Sequence, residues 1–150
     1  MRMSTRGRFG LRALLHLAVC ETNAPVSVSS LAETMGVSSD YLMQLFVKLR
    51  RAGLIKSIRG PRGGFRLAKK PGEISVGDVV RAVEGPIAVT PCLEHKGSRG
   101  RRQVKPPCAK QVGCVARVMW EQLTEQITKL LDAANLQDVV TEARRRGILQ

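Results

Sequence analysis

Three cysteines in the C-terminal half are the residues best placed to do chemistry. Fifteen residues separate Cys92 from Cys108, and five separate Cys108 from Cys114. The sequence carries no evident signal peptide, so a reducing, cytoplasmic setting is expected. There, spaced cysteines serve as metal ligands or redox groups more often than as structural disulfides. Thiolates suit iron–sulfur clusters, and a glycine-bearing loop can fold around one. The spacing alone is not a strong metal signature, so cluster-free thiol redox chemistry, zinc and inert thiols stay open. Cys20 stands apart on a helical apolar stripe, where a buried structural role is expected. His16, one turn from it, is read as a scaffold or surface residue. A thiol oxidoreductase would want C-x-x-C, which is absent. Phosphate loops, nucleophile elbows and paired-histidine metal motifs are absent too, so an enzyme is not expected.

The second chemical signal is charge. Twenty-five Lys and Arg face twelve Asp and Glu, a formal net charge of +13. Such a field favours a polyanionic partner, most often nucleic acid. Aromatic residues are only 3%, which argues against binders that stack single strands on aromatic platforms. The charge is concentrated. From Lys48 to Lys70 there are nine basic residues and no acid. Lys48, Arg50, Arg51, Lys56, Arg59 and Arg62 supply the part expected to neutralise phosphates.

The elements that must position these residues follow from periodicity. With 150 residues, 43% of them hydrophobic and 25% charged, the chain can bury one core. Leu11, Leu14, Leu15, Leu17, Ala18 and Val19 predict a first helix from Thr5 or Arg8 to Glu21. Leu17-Ala18-Val19-Cys20 loosely imitates a lipoprotein cleavage site, but Arg12 and His16 break the apolar run. No stretch reaches the length a membrane helix needs, so no membrane is expected as a partner. Ser27–Met35 is a short second helix, stopped by Gly36. Ser38 or Ser39 caps a third helix carrying Tyr41, Leu42, Leu45, Phe46 and Leu49. Leu54–Ile58 and Phe65–Leu67 read as strands joined by Arg59-Gly60-Pro61-Arg62-Gly63-Gly64. Ser75 and Asp78 form a capping box before a fourth helix that Gly85 closes. A long helix starts near Cys114 or Val115 and runs to about Ala134. A short helix in the tail precedes Arg144.

The second and third helices have the spacing of a helix-turn-helix. Ala32 permits their close approach, Gly36 makes the turn, and Val37, Leu42 and Leu45 bury the recognition helix. A glycine-tipped hairpin follows, which is the layout of a winged helix. The predicted fold is mainly α with a small β-hairpin wing. The predicted organisation is a winged helix-turn-helix over 1–90, a cysteine-bearing loop over 91–113, and a dimerisation helix with basic tail over 114–150. Ser39, Tyr41, Met43 and Gln44 are the candidates for reading bases, and Gln44 can make two hydrogen bonds to adenine. Tyr41 is equally a core or phosphate contact, Met43 offers only apolar contact, and Asp40 is better placed to cap. Glycines at the wing tip, Gly60 and Gly63 beside Pro61, permit close approach to a minor groove that Arg59 or Arg62 could enter. A small basic RNA-binding protein is the competing reading of the charge, but it does not call for a helix-turn-helix, a wing and a long amphipathic helix.

These segments resemble the IscR, NsrR and RirA family of winged-helix iron–sulfur transcriptional regulators. The resemblance rests on Arg6-Gly7-Arg8-Phe9, Tyr41-Leu42-x-Gln44-Leu45-Phe46-x-Lys48-Leu49-Arg50, Gly53-Leu54, Arg59-Gly60-Pro61-x-Gly63-Gly64-Phe65 and Val76-Gly77-Asp78-Val79-Val80, and it covers nearly the whole chain. It implies a regulator of the repressor type that is a homodimer built on the long helix and binds palindromic double-stranded operators. It implies an iron–sulfur cluster on Cys92, Cys108 and Cys114, of either the 2Fe-2S or the 4Fe-4S kind. It also carries Arg59, Gly60 and Pro61 over as wing contacts and Gln44 as a recognition-helix contact. Three departures matter. Met43 stands where IscR-like chains have a glutamate that helps select sites. Arg117 stands where they place a histidine ligand, and Arg8 stands where NsrR-like chains place an acidic one. Glu94 and His95 are the local candidates for a fourth ligand, with an exogenous ligand or an open iron site as alternatives.

Overall fold

The computed structural model describes residues 3–20, 24–93 and 113–149. Cys108, Glu94 and His95 lie outside the described residues, as does most of the expected cysteine loop. The helices are α1 (Thr5–Val19), α2 (Val28–Met35), α3 (Ser39–Arg51), α4 (Val76–Glu84), α5 (Ala116–Ala133) and α6 (Leu136–Arg145). Strands β1 (Ile55–Ile58) and β2 (Gly64–Leu67) form an antiparallel hairpin with Ile55 opposite Leu67 and Ser57 opposite Phe65.

Five of the six described α-helices start at a side-chain cap; α5, which follows Val115, does not. A helix leaves its first N–H groups without partners, and a side-chain oxygen just before it can accept from one of them. Ser4 accepts from Gly7 N, Ser27 from Ser30 N and Ser38 from Tyr41 N, the last two at 3.2 Å. Ser27 is therefore the cap of α2 rather than its first residue, and Ser38 rather than Ser39 caps α3. Ser75 and Asp78 exchange hydrogen bonds at 3.0 and 3.2 Å, the reciprocal box that the sequence predicts. Asn135 and Asp138 form a second such box before α6. Gly36 ends α2 at φ 68°, a conformation that costs a side chain but not glycine.

The core gathers under the helix-turn-helix. Leu14, Leu42, Phe46, Leu49, Ile74, Val79 and Leu136 are each 0% exposed. Phe46 of α3 meets Phe65 of β2 edge-on at 4.8 Å, which ties the wing to the recognition helix. Gly10 lets α1 close on α4, because a Cβ there would lie 3.1 Å from Val83. The tail helix is longer than expected: α6 runs through Arg144 and Arg145 and buries Leu136 and Val140 in the same packing as α1. Both ends of the chain therefore support the winged helix.

Helix α5 is different, since none of its residues is buried. Its C-terminal end is fastened: Val76 N donates to Ala134 O at 2.8 Å and Leu136 N to Ile74 O at 3.0 Å. Arg81 of α4 grips both carboxylate oxygens of Asp132 at 2.7 and 2.6 Å. Both oxygens accept from one nitrogen, Nη2, and the resulting ion pair fastens α4 to α5.

Candidate functional site

Helix α3 divides cleanly into two faces. Leu42, Leu45, Phe46 and Leu49 recur at helical spacing and are buried. Ser39, Met43 and Gln44 lie on the exposed side, and Met43 keeps 42% of its surface. Arg50 and Arg51 are exposed in the last turn, where cations also complement the helix dipole. Two expected contacts are placed otherwise. Tyr41 is half-buried, its ring edge-on to Phe9 at 5.9 Å and its hydroxyl buried without a hydrogen-bond partner. Lys48 is half-buried and its Nζ donates to Val83 O at 3.0 Å, one of the last carbonyls of α4. In this conformation Lys48 caps a neighbouring helix.

The wing tip is a tight turn closed by Gly63 N donating to Gly60 O at 2.9 Å. Proline is well placed at the second position of such a turn, which Pro61 occupies. Arg59, Gly60, Pro61 and Arg62 are exposed and Gly63 is half-buried. Gly60 takes φ 122°, open to glycine and strained for other residues. The turn thus holds Arg59 and Arg62 at either side of a narrow, side-chain-poor tip. Arg66 of β2 was not among the expected site residues. Its signal was its register, directly opposite Lys56 on the outer face of the hairpin.

At the head of α5 the two described thiols of the cysteine set are half-exposed and exposed. Cys92 sits in a short 3-10 turn, Pro91–Leu93, that is docked on α5: Val89 N donates to Thr124 Oγ1 at 3.3 Å. The Thr90 hydroxyl and the Cys92 thiol share a hydrogen bond at 3.1 Å. Cys114 precedes α5, and its carbonyl accepts from Arg117 N at 3.1 Å. The Arg117 guanidinium donates to Glu121 at 2.7 Å, which raises its pKa above the ordinary value; Cys92 and Cys114 add smaller attractions. Both thiols therefore lie within electrostatic reach of one arginine. Among the described residues no three His, Cys, Asp or Glu side chains gather as a metal site. Cys20 corrects an expectation: α1 ends at Val19, so Cys20 leaves the buried stripe and is exposed.

A buried-face recognition helix beside a cationic glycine-tipped hairpin defines a winged-helix DNA-binding protein. Residues 3–142 match the Rrf2 family, described as an iron-dependent transcriptional regulator, and the chain belongs to that family. It is 35% identical to the HTH-type transcriptional regulator IscR of Aliivibrio salmonicida, over 95% of this chain and 79% of that one. Among solved structures it resembles T. potens IscR, with a TM-score of 0.75 and 34% identity over 100% of this chain and 93% of that one. It also resembles CymR, the global cysteine regulator of B. subtilis, with a TM-score of 0.73 and 34% identity over 95% of this chain and 98% of that one. The relatives are transcriptional regulators, so this chain is an IscR-like transcriptional regulator and not an enzyme. Among the described residues no helix is long and apolar enough to cross a membrane.

Proposed function

We propose that the protein is a homodimeric repressor that reads a palindromic double-stranded operator and is switched at Cys92, Cys108 and Cys114. One observation carries this reading: two of the three cysteines flank the head of α5, a helix that leaves its apolar face uncovered and is fastened at its foot to the winged helix. Val118 is 60% exposed, Met119 55%, Leu123 40% and Leu130 70%. A stripe of that size is stable in water when a second copy covers it. Two-fold symmetry then presents two α3 helices to successive major grooves.

In this reading Ser39, Met43 and Gln44 face base edges, and Tyr41 positions α3 from the scaffold side. Arg50, Arg51, Arg59 and Arg62 neutralise phosphates, Gly60, Pro61 and Gly63 let the wing approach the minor groove, and Lys48 joins them when DNA competes with Val83 O. Cys92, Cys108 and Cys114 would supply three thiolates, a donor set suited to an iron–sulfur cluster, and the cluster would supply redox sensitivity. A change at Cys92 or Cys114 that alters the start of α5 alters the spacing of the two winged helices. A ligand alters DNA affinity only through such a difference between states.

A second reading has the same cysteines act as a cluster-free thiol sensor. The likeness to CymR, a cysteine regulator, favours it. Visible absorption with iron and sulfide assays on anaerobically purified protein separates the two. Absorption with near-stoichiometric iron and sulfide supports the cluster; colourless protein with neither supports the thiol sensor. A failure to bind any duplex in preference to single-stranded RNA would overturn both.

A further inference from the structure

Away from Cys92 and Cys114, a cleft of about 580 Å³ opens between the base of the wing and the end of α1, with Cys20 among its lining residues. Its cationic wall is built by the hairpin. Lys56 and Arg66 are direct cross-strand partners, so two positive side chains share one sheet face. Like charges so placed repel unless an anion joins them. Lys69 and Lys70 extend the wall. Glu73 is the one acid among the described lining residues, and its carboxylate already accepts from Lys70 N at 2.9 Å. Among the described residues none of the four cations has an ion-pair partner.

Arg66 adds an unanswered donor. Its Nε is buried and has no hydrogen-bond partner. A guanidinium cannot shed its proton, so only an acceptor satisfies it. Leu17, Ala18, Ala24 and Val26, from the end of α1 and the segment before α2, give the cleft an apolar floor. The walls are held in place: Val26 and Phe65 exchange both backbone hydrogen bonds, at 2.9 and 2.8 Å. Gly64 lies flush against Val26, leaving no room there for a side chain.

The geometry points to a binding site for a small organic anion, with its charged group on Arg66 and the lysines and a short aliphatic body on the apolar floor. The site shares no residue with the wing tip or the exposed face of α3, and it does not depend on what the cysteines bind. The other source of an anion is a DNA phosphate, and the test distinguishes the two.

The test follows the Arg66 Nε–Hε resonance of the ¹⁵N-labelled full chain. Butyrate is the probe, butyramide its neutral match, and sodium chloride holds ionic strength constant. Butyrate is expected to shift the Arg66 resonance saturably, while butyramide leaves it in place. The double variant Lys69→Ala, Lys70→Ala removes two exposed side chains without touching the core, and it should weaken the butyrate response several-fold. An equal response to butyramide would overturn the proposal. So would a non-saturating shift shared by Arg51 and Arg59. If a non-operator duplex moves Arg66 and butyrate does not, the cleft belongs to the DNA surface and the small-anion site is wrong.

Discussion

Arg51 and Lys48 lie one helical turn apart, yet their replacement by alanine should have different consequences. Arg51 is exposed at the end of α3 with no ion-pair partner among the described residues. Arg51→Ala should change stability by less than about 1 kcal/mol, the size of its interaction with the end of the helix. Lys48 caps α4 through Val83 O, and both groups are partly withdrawn from water. Lys48→Ala should therefore cost about 1–2 kcal/mol of folding stability. On DNA, a dimer of Arg51→Ala loses two phosphate contacts. Each contact contributes about 0.9 to the slope of log affinity against log salt, so the slope should fall by roughly 1.8. Between 50 and 200 mM salt the wild type should then lose about tenfold more affinity than the variant. Fluorescence anisotropy of a labelled operator across that range measures the slope, and thermal unfolding measures the stability. The effect should be the same on a scrambled duplex, because phosphates carry no sequence. An unchanged slope would refute the phosphate role of Arg51. A sequence-dependent loss would show instead that it reads bases.

Three further outcomes follow from the same packing. Leu123→Glu with Ile127→Glu places charge on the uncovered face of α5 and should give monomers by sedimentation, with operator affinity lowered accordingly; a dimeric variant would move the interface elsewhere. Gln44→Ala should leave non-specific binding intact while reducing discrimination by about 1–3 kcal/mol in competition against scrambled DNA. Phe46→Ala empties a fully buried site beside Phe65. It should cost about 3–5 kcal/mol in denaturant unfolding.

The parts of this architecture governed by near neighbours were legible in the sequence. Ser38, Gly36 and the Ser75–Asp78 box act within four residues, and the buried stripe of α3 repeats over three turns. The hairpin announced itself through the glycines around Pro61. Contacts between distant residues left no such trace. Lys48 and Val83 are 35 residues apart, and nothing in a basic run marks the one lysine that turns inward. Arg81 and Asp132, 51 residues apart, are equally silent in the sequence. Cys20 was misplaced because the stripe of α1 continues in sequence beyond the point where the helix stops. The Asn135–Asp138 box was available as a local cue for α6. That this helix completes the core beside α1 depends on the fold that brings the two ends together.

Operator affinity measured with single-cysteine variants tests most directly whether Cys92, Cys108 and Cys114 control DNA binding. Cys92→Ala, Cys108→Ala and Cys114→Ala are compared with anaerobically purified wild type, with Cys20→Ala as the control. All should fold and dimerise, since the winged helix and α5 have their own apolar faces. The three variants should share one altered affinity, because removing any one thiolate disables the set, and Cys20→Ala should bind as wild type does. If all three variants bound the operator with wild-type affinity, the cysteines would not be the regulatory input and the protein would be a plain repressor.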